Sequence, residues 1–139
     1  MITEDYVSFE TAKLLKEKGF DEATNRYYNA QYDQIRTVSD TFMWHWNDEK
    51  FMKHVMMEGA VAIPTIQMTM KWLREVYNLV IEPYRTACGY LYTISSIPYG
   101  STKYDNSEAY NGDDEASGQW TTWEKACEDG IKYCLENLI

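Results

Sequence analysis

The chain predicts an α+β fold: a small, mainly antiparallel sheet with three main helices packed on one face, in the order α-β-β-(β/α)-α-β-β-α. Three observations carry this. Apolar residues recur at helical spacing in three stretches, around Leu15, Leu73 and Ile131. Between them lie runs that alternate or are rich in β-branched and aromatic residues, such as LVIEPY and GYLYTISSI. Gly, Pro, Asn and Ser separate the two kinds of segment.

Taken in order, residues 8–18 predict the first helix. Ser8 is its N-cap, Phe9, Ala12 and Leu15 form a stripe broadened by Leu14, and Gly19 supplies a left-handed stop. ATNRYYNAQY and QIRTVS read as two short strands joined through Ala30–Asp33. Phe42, Trp44 and Trp46 alternate like a strand, whereas Trp46, Lys50, Lys53 and Met57 fit helical spacing; the preferred reading is an extended 41–46 followed by a short helix over 48–57. The next helix is expected over 64–77. Pro64 stands at its first position, Ile66, Met70, Leu73 and Tyr77 face one way, and Asn78 closes it. LVIEPY follows as a strand. Pro83 cannot donate to a ladder, which puts that strand at an edge. Ala87–Gly89 turns the chain back into GYLYTISSI, and residues 98–119 read as a mobile acidic loop. The last helix is expected to open on a capping box of Thr121 and Glu124 and to bury Cys127, Ile131, Cys134 or Leu135, and Leu138. Gly130 inside it costs about 1 kcal/mol relative to Ala, which is tolerable where another element passes close by. ETAKLLKE at 10–17 echoes MTMKWLRE at 68–75, and a duplication would give two helix–hairpin units.

The 139 residues suggest a single domain, 1–139, able to bury a core without metal or disulfide staples. Twelve Tyr and five Trp exceed what a core needs, so some aromatic rings must sit half-exposed, as core edges or as a binding face. A net charge of −9 argues against direct nucleic-acid or anionic-membrane binding. It suits solubility, a basic partner, or mimicry of nucleic acid. Three cysteines cannot all pair within one chain, and Cys127 and Cys134, two helical turns apart, are too distant for a disulfide. An acidic start without an apolar run, no membrane-length apolar stretch and unpaired cysteines point to a reducing cytoplasm.

Chemistry-bearing patterns are sparse. His45 and His54 stand nine residues apart without the converging partners that a metal needs. The acidic loop does not fit a calcium-binding loop, because Gly112 at position six sets Ala109 at three and Gly118 at twelve. Cys88, at a predicted turn, is the most exposed candidate nucleophile, but no base is placed beside it. The expectation is therefore no catalytic residues, no metal and no cofactor.

Pro64-Thr65, the KWLRE segment 71–75, and the ending Glu124-Lys125-Ala126 with the IKYCL segment 131–135 resemble small uncharacterised prophage and mobile-element proteins of gut anaerobic bacteria. AKLLKEKGFD at 12–21 fits the same pattern, whereas 23–60 is not covered. The resemblance implies a phage-like accessory protein in a bacterial cytoplasm and carries no activity. Residues 64–139 are also open to an αβββα reading, similar to double-stranded-RNA-binding domains, for which the charge disfavours RNA. Aromatic surplus without chemistry predicts a non-enzymatic protein-interaction module, binding a protein partner or itself through Trp44, Trp46 and Tyr84 on the edge strand. The alternatives are an acidic nucleic-acid mimic that inhibits a basic host protein, or a small enzyme using His, Cys or carboxylates in a deep pocket.

Overall fold

Two helix-and-sheet units, Met1–Thr65 and Ile66–Ile139, make up the chain, and the computed structural model describes residues 1–97, 100–105 and 119–139. Both are α+β, and every strand pairing within named strands is antiparallel.

In the first unit, helix α1 (Phe9–Glu17) begins with the Ser8 hydroxyl accepting the Thr11 N–H at 3.2 Å. It ends in a Schellman motif. Phe20 N–H reaches the Leu15 carbonyl at 2.9 Å, Gly19 N–H reaches Lys16 at 3.1 Å, and Gly19 has φ +93°. Phe20 and Leu15 are both fully buried, so the stop signal also seats a core ring. Strands β1 (Arg26–Asn29) and β2 (Gln34–Thr37) form the expected hairpin, and a strand the sequence did not reveal, β3 (Val61–Ala62), pairs with β1. The sheet order is β2-β1-β3.

The segment 41–46 is not a strand. Asp40–Phe42 form a 3-10 turn, and only Trp44 pairs, in an isolated bridge to Thr24. The turn closes through Phe42 N–H to the Ser39 carbonyl at 2.9 Å, which breaks the two-residue alternation before it can form a face. Helix α2 (Glu49–His54) lies inside its predicted range, capped by the Asp48 carboxylate on Phe51 N–H at 3.2 Å. It stops early because Met56 takes φ +61°. Asn47 ties the unit together: its amide donates to the Phe20 carbonyl at 2.7 Å and its Oδ1 accepts Ala62 N–H at 2.8 Å.

In the second unit, helix α3 runs Ile66–Tyr77. Pro64 is not its first residue. The Pro64 carbonyl accepts Val7 N–H at 3.0 Å and Thr65 bridges Tyr6, so this stretch is extended. Asn78, at φ +58°, supplies the left-handed end. Strands β4 (Leu79–Arg85), β5 (Tyr90–Ser96) and β6 (Thr102–Asp105) form a meander ordered β4-β5-β6. The acidic loop expected at 98–119 falls largely outside the described residues, but residues 102–105 within it are strand β6. Pro83 lies on edge strand β4 opposite Tyr92. Tyr90 and Ser96 turn their N–H groups to Trp120 and Ser101, so even-numbered β5 residues donate away from β4. Pro83 therefore occupies a non-hydrogen-bonded position, where its missing N–H costs the ladder nothing.

Helix α4 (Trp123–Tyr133) is capped by Thr122, which accepts Lys125 N–H at 3.1 Å, and not by Thr121. Trp120 is still held in extended pairing with Tyr90, at 2.8 and 3.0 Å, which leaves one residue of lead before the cap. That shift puts Lys125 where a capping box needs an acid. The helix runs into a π-helical turn, Cys134–Leu138. Cys127, Ile131, Cys134 and Leu135 are fully buried along with Tyr92 and Ile94 of β5. A Cβ on Gly130 would lie 2.8 Å from Ile81 Cγ2 and 3.3 Å from Tyr92 Cδ2. The glycine is where α4 touches the sheet.

The predicted antiparallel α+β fold is present, distributed among the described residues over two three-stranded sheets rather than one. The physical reason is visible at β3. Two residues suffice to give β1 a second neighbour, and so short an apolar run carries no strand signal of its own. Each unit opens with a helix followed by an antiparallel hairpin, as the internal echo anticipates: α1 then β1–β2, α3 then β4–β5.

Candidate functional site

The three residues singled out from sequence have different surroundings. Trp46 is buried, 9% exposed, with its ring stacked on Tyr27 at 3.8 Å and its indole N–H donating to the Thr24 carbonyl at 2.7 Å. Both its apolar area and its polar handle are consumed inside the first unit, which makes it a core residue rather than a contact. Trp44 is 44% exposed, its backbone held by two hydrogen bonds to Thr24 at 3.0 and 3.2 Å. Tyr84, on β4, is 38% exposed. Partial burial, then the charge and hydrogen bond of Asp105, hold its phenol above the ordinary range.

Trp44 belongs to a larger surface. Its ring meets Phe51 of α2 at 5.1 Å, and Phe51 is 38% exposed. Val55 lies one helical turn beyond Phe51, Met56 follows, and Phe42 precedes Trp44 by two residues. All three are exposed, Phe42 at 69%. Of the twelve exposed large hydrophobic residues described, seven fall between Tyr32 and Met56. Scattered exposed apolar residues need no explanation, but a cluster with two aromatic rings in contact does. Helix α2 explains why it exists. Its six residues carry Phe51 on one side and Met52 on another, and only Met52 is buried. Two apolar stripes on so short a helix were the sequence signal for this surface, and the alternation of Trp44 and Trp46 masked it.

Polar groups elsewhere are largely satisfied from within. A cleft of about 370 Å³ in the first unit is lined by Lys13, Lys16, Glu17, Asn47 and Glu49. The Lys16 ammonium donates to the Ala60 carbonyl at 2.9 Å and pairs with Glu49 at 3.0 Å. Asn47 is committed to Phe20 and Ala62, so the cleft braces the fold. His45 is exposed, with Nδ1 2.8 Å from the Asp21 carbonyl, and His54 is exposed at the end of α2. Among the described residues no group of three or more His, Cys, Asp and Glu side chains could hold a metal. Cys88 is exposed at the β4–β5 turn, and its N–H donates to the Thr86 hydroxyl at 3.3 Å.

In the second unit the Tyr92 hydroxyl donates to Asp129 at 2.5 Å, and Tyr104 stacks on Tyr133 at 3.8 Å beside them. Burial, then the bond to Asp129, drives the Tyr92 phenol far upward; burial also raises Asp129, against the opposing pull of Tyr92 and Lys132. Burial pushes the Cys134 thiol up to about 12. Cys127 also reaches about 12, through burial and then Glu124 and Glu128. Neither thiol is a nucleophile at neutral pH.

No protein-family model, no curated protein and no solved structure matches this chain. Among the described residues no helix is long and apolar enough to cross a membrane.

Proposed function

We propose that this chain is a non-enzymatic protein-interaction module of prophage or mobile-element origin, acting in a bacterial cytoplasm. Its contact surface is the apolar strip of the first unit built on Trp44 and Phe51. The observation that supports this reading is the pair of touching, exposed aromatic rings, Trp44 and Phe51, whose sequence neighbours Phe42, Val55 and Met56 are exposed as well. Contacts of this kind are enriched in Trp and Phe, and their energy concentrates in a few desolvated anchors. The buried thiols and the internally braced polar groups are consistent with a protein that binds rather than transforms.

The test compares the wild type with Trp44→Ser/Phe51→Ser, immobilised and exposed to bacterial lysate. The Trp44 bridge to Thr24 is made by the main chain, so the fold should survive, as checked by circular dichroism. A protein retained by the wild type and released by the double variant supports the reading. Equal retention by both, or retention by neither together with a strictly monomeric chain, refutes it. Salt separates it from the other reading of the −9 charge, mimicry of nucleic acid: an apolar contact persists at high ionic strength, whereas charge mimicry fails there.

A further inference from the structure

An exposed sheet edge is a row of unpaired main-chain donors and acceptors, and folded proteins guard such edges. Among the described residues, three of the four sheet edges are guarded. On β4, Pro83 removes a donor. On β6 the ladder with β5 is bulged, the register slipping past Lys103 between Tyr104 and Thr102. On β3 the Asn47 carboxamide takes the Ala62 N–H at 2.8 Å, and Lys16 takes the neighbouring Ala60 carbonyl at 2.9 Å.

Strand β2 has none of these devices. Gln34, Ile35, Arg36 and Thr37 contain no Pro and no Gly, pair with β1 without a bulge and are all exposed. The direction of its main-chain groups follows from the ladder. Val38 N–H donates to the Asn25 carbonyl at 2.7 Å, so positions 38, 36 and 34 bond to β1. Ile35 and Thr37 alternate with them, turning N–H and C=O outward. Those four groups have no partner among the described residues.

We infer that β2 is a docking edge for an extended segment of a partner protein, which adds as a fourth strand and carries an acidic residue opposite Arg36. Charge settles the occupant. Pairing two copies of β2 about a two-fold with Ile35 opposite Thr37 uses all four outward groups, but it sets Arg36 against Arg36, and like charges facing across strands are destabilising. A heterologous strand makes the same four main-chain bonds and replaces that repulsion with a guanidinium–carboxylate pair. The arginine is available for this: its guanidinium rests on Gln34 Oε1 at 3.0 Å and lies 5.7 Å from the Tyr32 ring centre, and no carboxylate pairs with it among the described residues. This inference rests on the interaction reading but uses a surface apart from Trp44 and Phe51, so either can fail alone.

The probe is a capped seven-residue peptide of alternating Thr and Val with a central Glu, added to isotope-labelled protein. Amide exchange at Ile35 and Thr37 should slow by about tenfold at nine-tenths occupancy, while Arg36, already bonded to β1, changes little. A central Lys should weaken the effect, and N-methylation at alternate peptide residues should abolish it without any change to the protein. Ile35→Pro, which removes an outward donor only, should also abolish it, and Ile35→Thr and Trp44→Ser should preserve it. No slowing at millimolar peptide, equal slowing with the methylated peptide, or slowing along Leu79–Arg85 instead would overturn the assignment. So would a dimer of the chain alone that protects the same two amides.

Discussion

Gly130 is the position where helix propensity and packing make opposite predictions. An isolated α4 would gain about 1 kcal/mol from Gly130→Ala, because glycine surrenders more backbone freedom on folding. In the folded unit the added methyl would stand 2.8 Å from Ile81 Cγ2 and 3.3 Å from Tyr92 Cδ2. The first atom cannot swing away, since Cγ2 is fixed to a β-branched Cβ. The second belongs to a fully buried ring whose hydroxyl is bonded to Asp129, on the same helix. The helix must therefore lift, opening the contact between α4 and the β4–β5 face. Overpacking costs about 1–3 kcal/mol; set against the propensity gain of about 1 kcal/mol, the net loss is about 0–2 kcal/mol. Chemical denaturation, with the midpoint falling at unchanged slope, reads it directly. The cause is checked by Gly130→Ala/Ile81→Leu. Leucine has no Cγ2, so the double variant should lose less than the two single losses added together. A Gly130→Ala protein more stable than the wild type, or strict additivity in the cycle, would refute the close-approach argument.

Three further outcomes concern groups in the same unit. Burial raises the Asp129 carboxyl, so its protonated form is the one the fold favours; the stability it supplies is full below the ordinary carboxylate range and is lost as pH rises through the raised value. Asp129→Asn keeps an acceptor for the Tyr92 hydroxyl and removes the charge, so its stability relative to the wild type should improve from acid towards neutral pH, as followed by urea titrations at several pH values. Tyr92→Phe instead leaves the carboxylate without its buried donor and should cost about 1–3 kcal/mol. A thiol-reactive chromophore at pH 8 should modify Cys88 promptly. Cys127 and Cys134, buried and held up to about 12, should react only after denaturant is added.

What the sequence disclosed and what it hid divide along a physical line. Signals that act within one turn were legible. The Ser8 cap, the Gly19–Phe20 stop, the Asn78 end and the Pro83 edge all depend on neighbours in sequence, and each does what its chemistry requires. Signals that depend on a remote partner were not. Strand β3 is two residues long and exists because β1 offers it a ladder. Strand β6 lies in a stretch whose composition reads as loop. The α4 cap moved by one residue because Trp120 is held by Tyr90, thirty positions earlier. The glycine in α4 is the instructive exception: its cost was local, and that cost correctly implied an unseen neighbour.

Trp44 and Trp46 show how the same limit governs the candidate site. Two residues apart, they belong on one face of a strand if a strand is there. The 3-10 turn at Asp40–Phe42 removes the strand, and each ring then follows its own partners. Trp46 finds Tyr27 and the Thr24 carbonyl and is lost to the core. Trp44 is held only by its backbone, so its ring is left to Phe51 on a helix with room to bury one apolar stripe and not two. An exposed aromatic pair thus arises where the chain has more apolar surface than its local fold can cover. The position costs the fold little to change, which makes it the place where substitution should alter binding while leaving stability almost untouched. At Trp46 the reverse holds: truncation to Ala should cost about 3–5 kcal/mol, and any loss of binding would follow from loss of the fold.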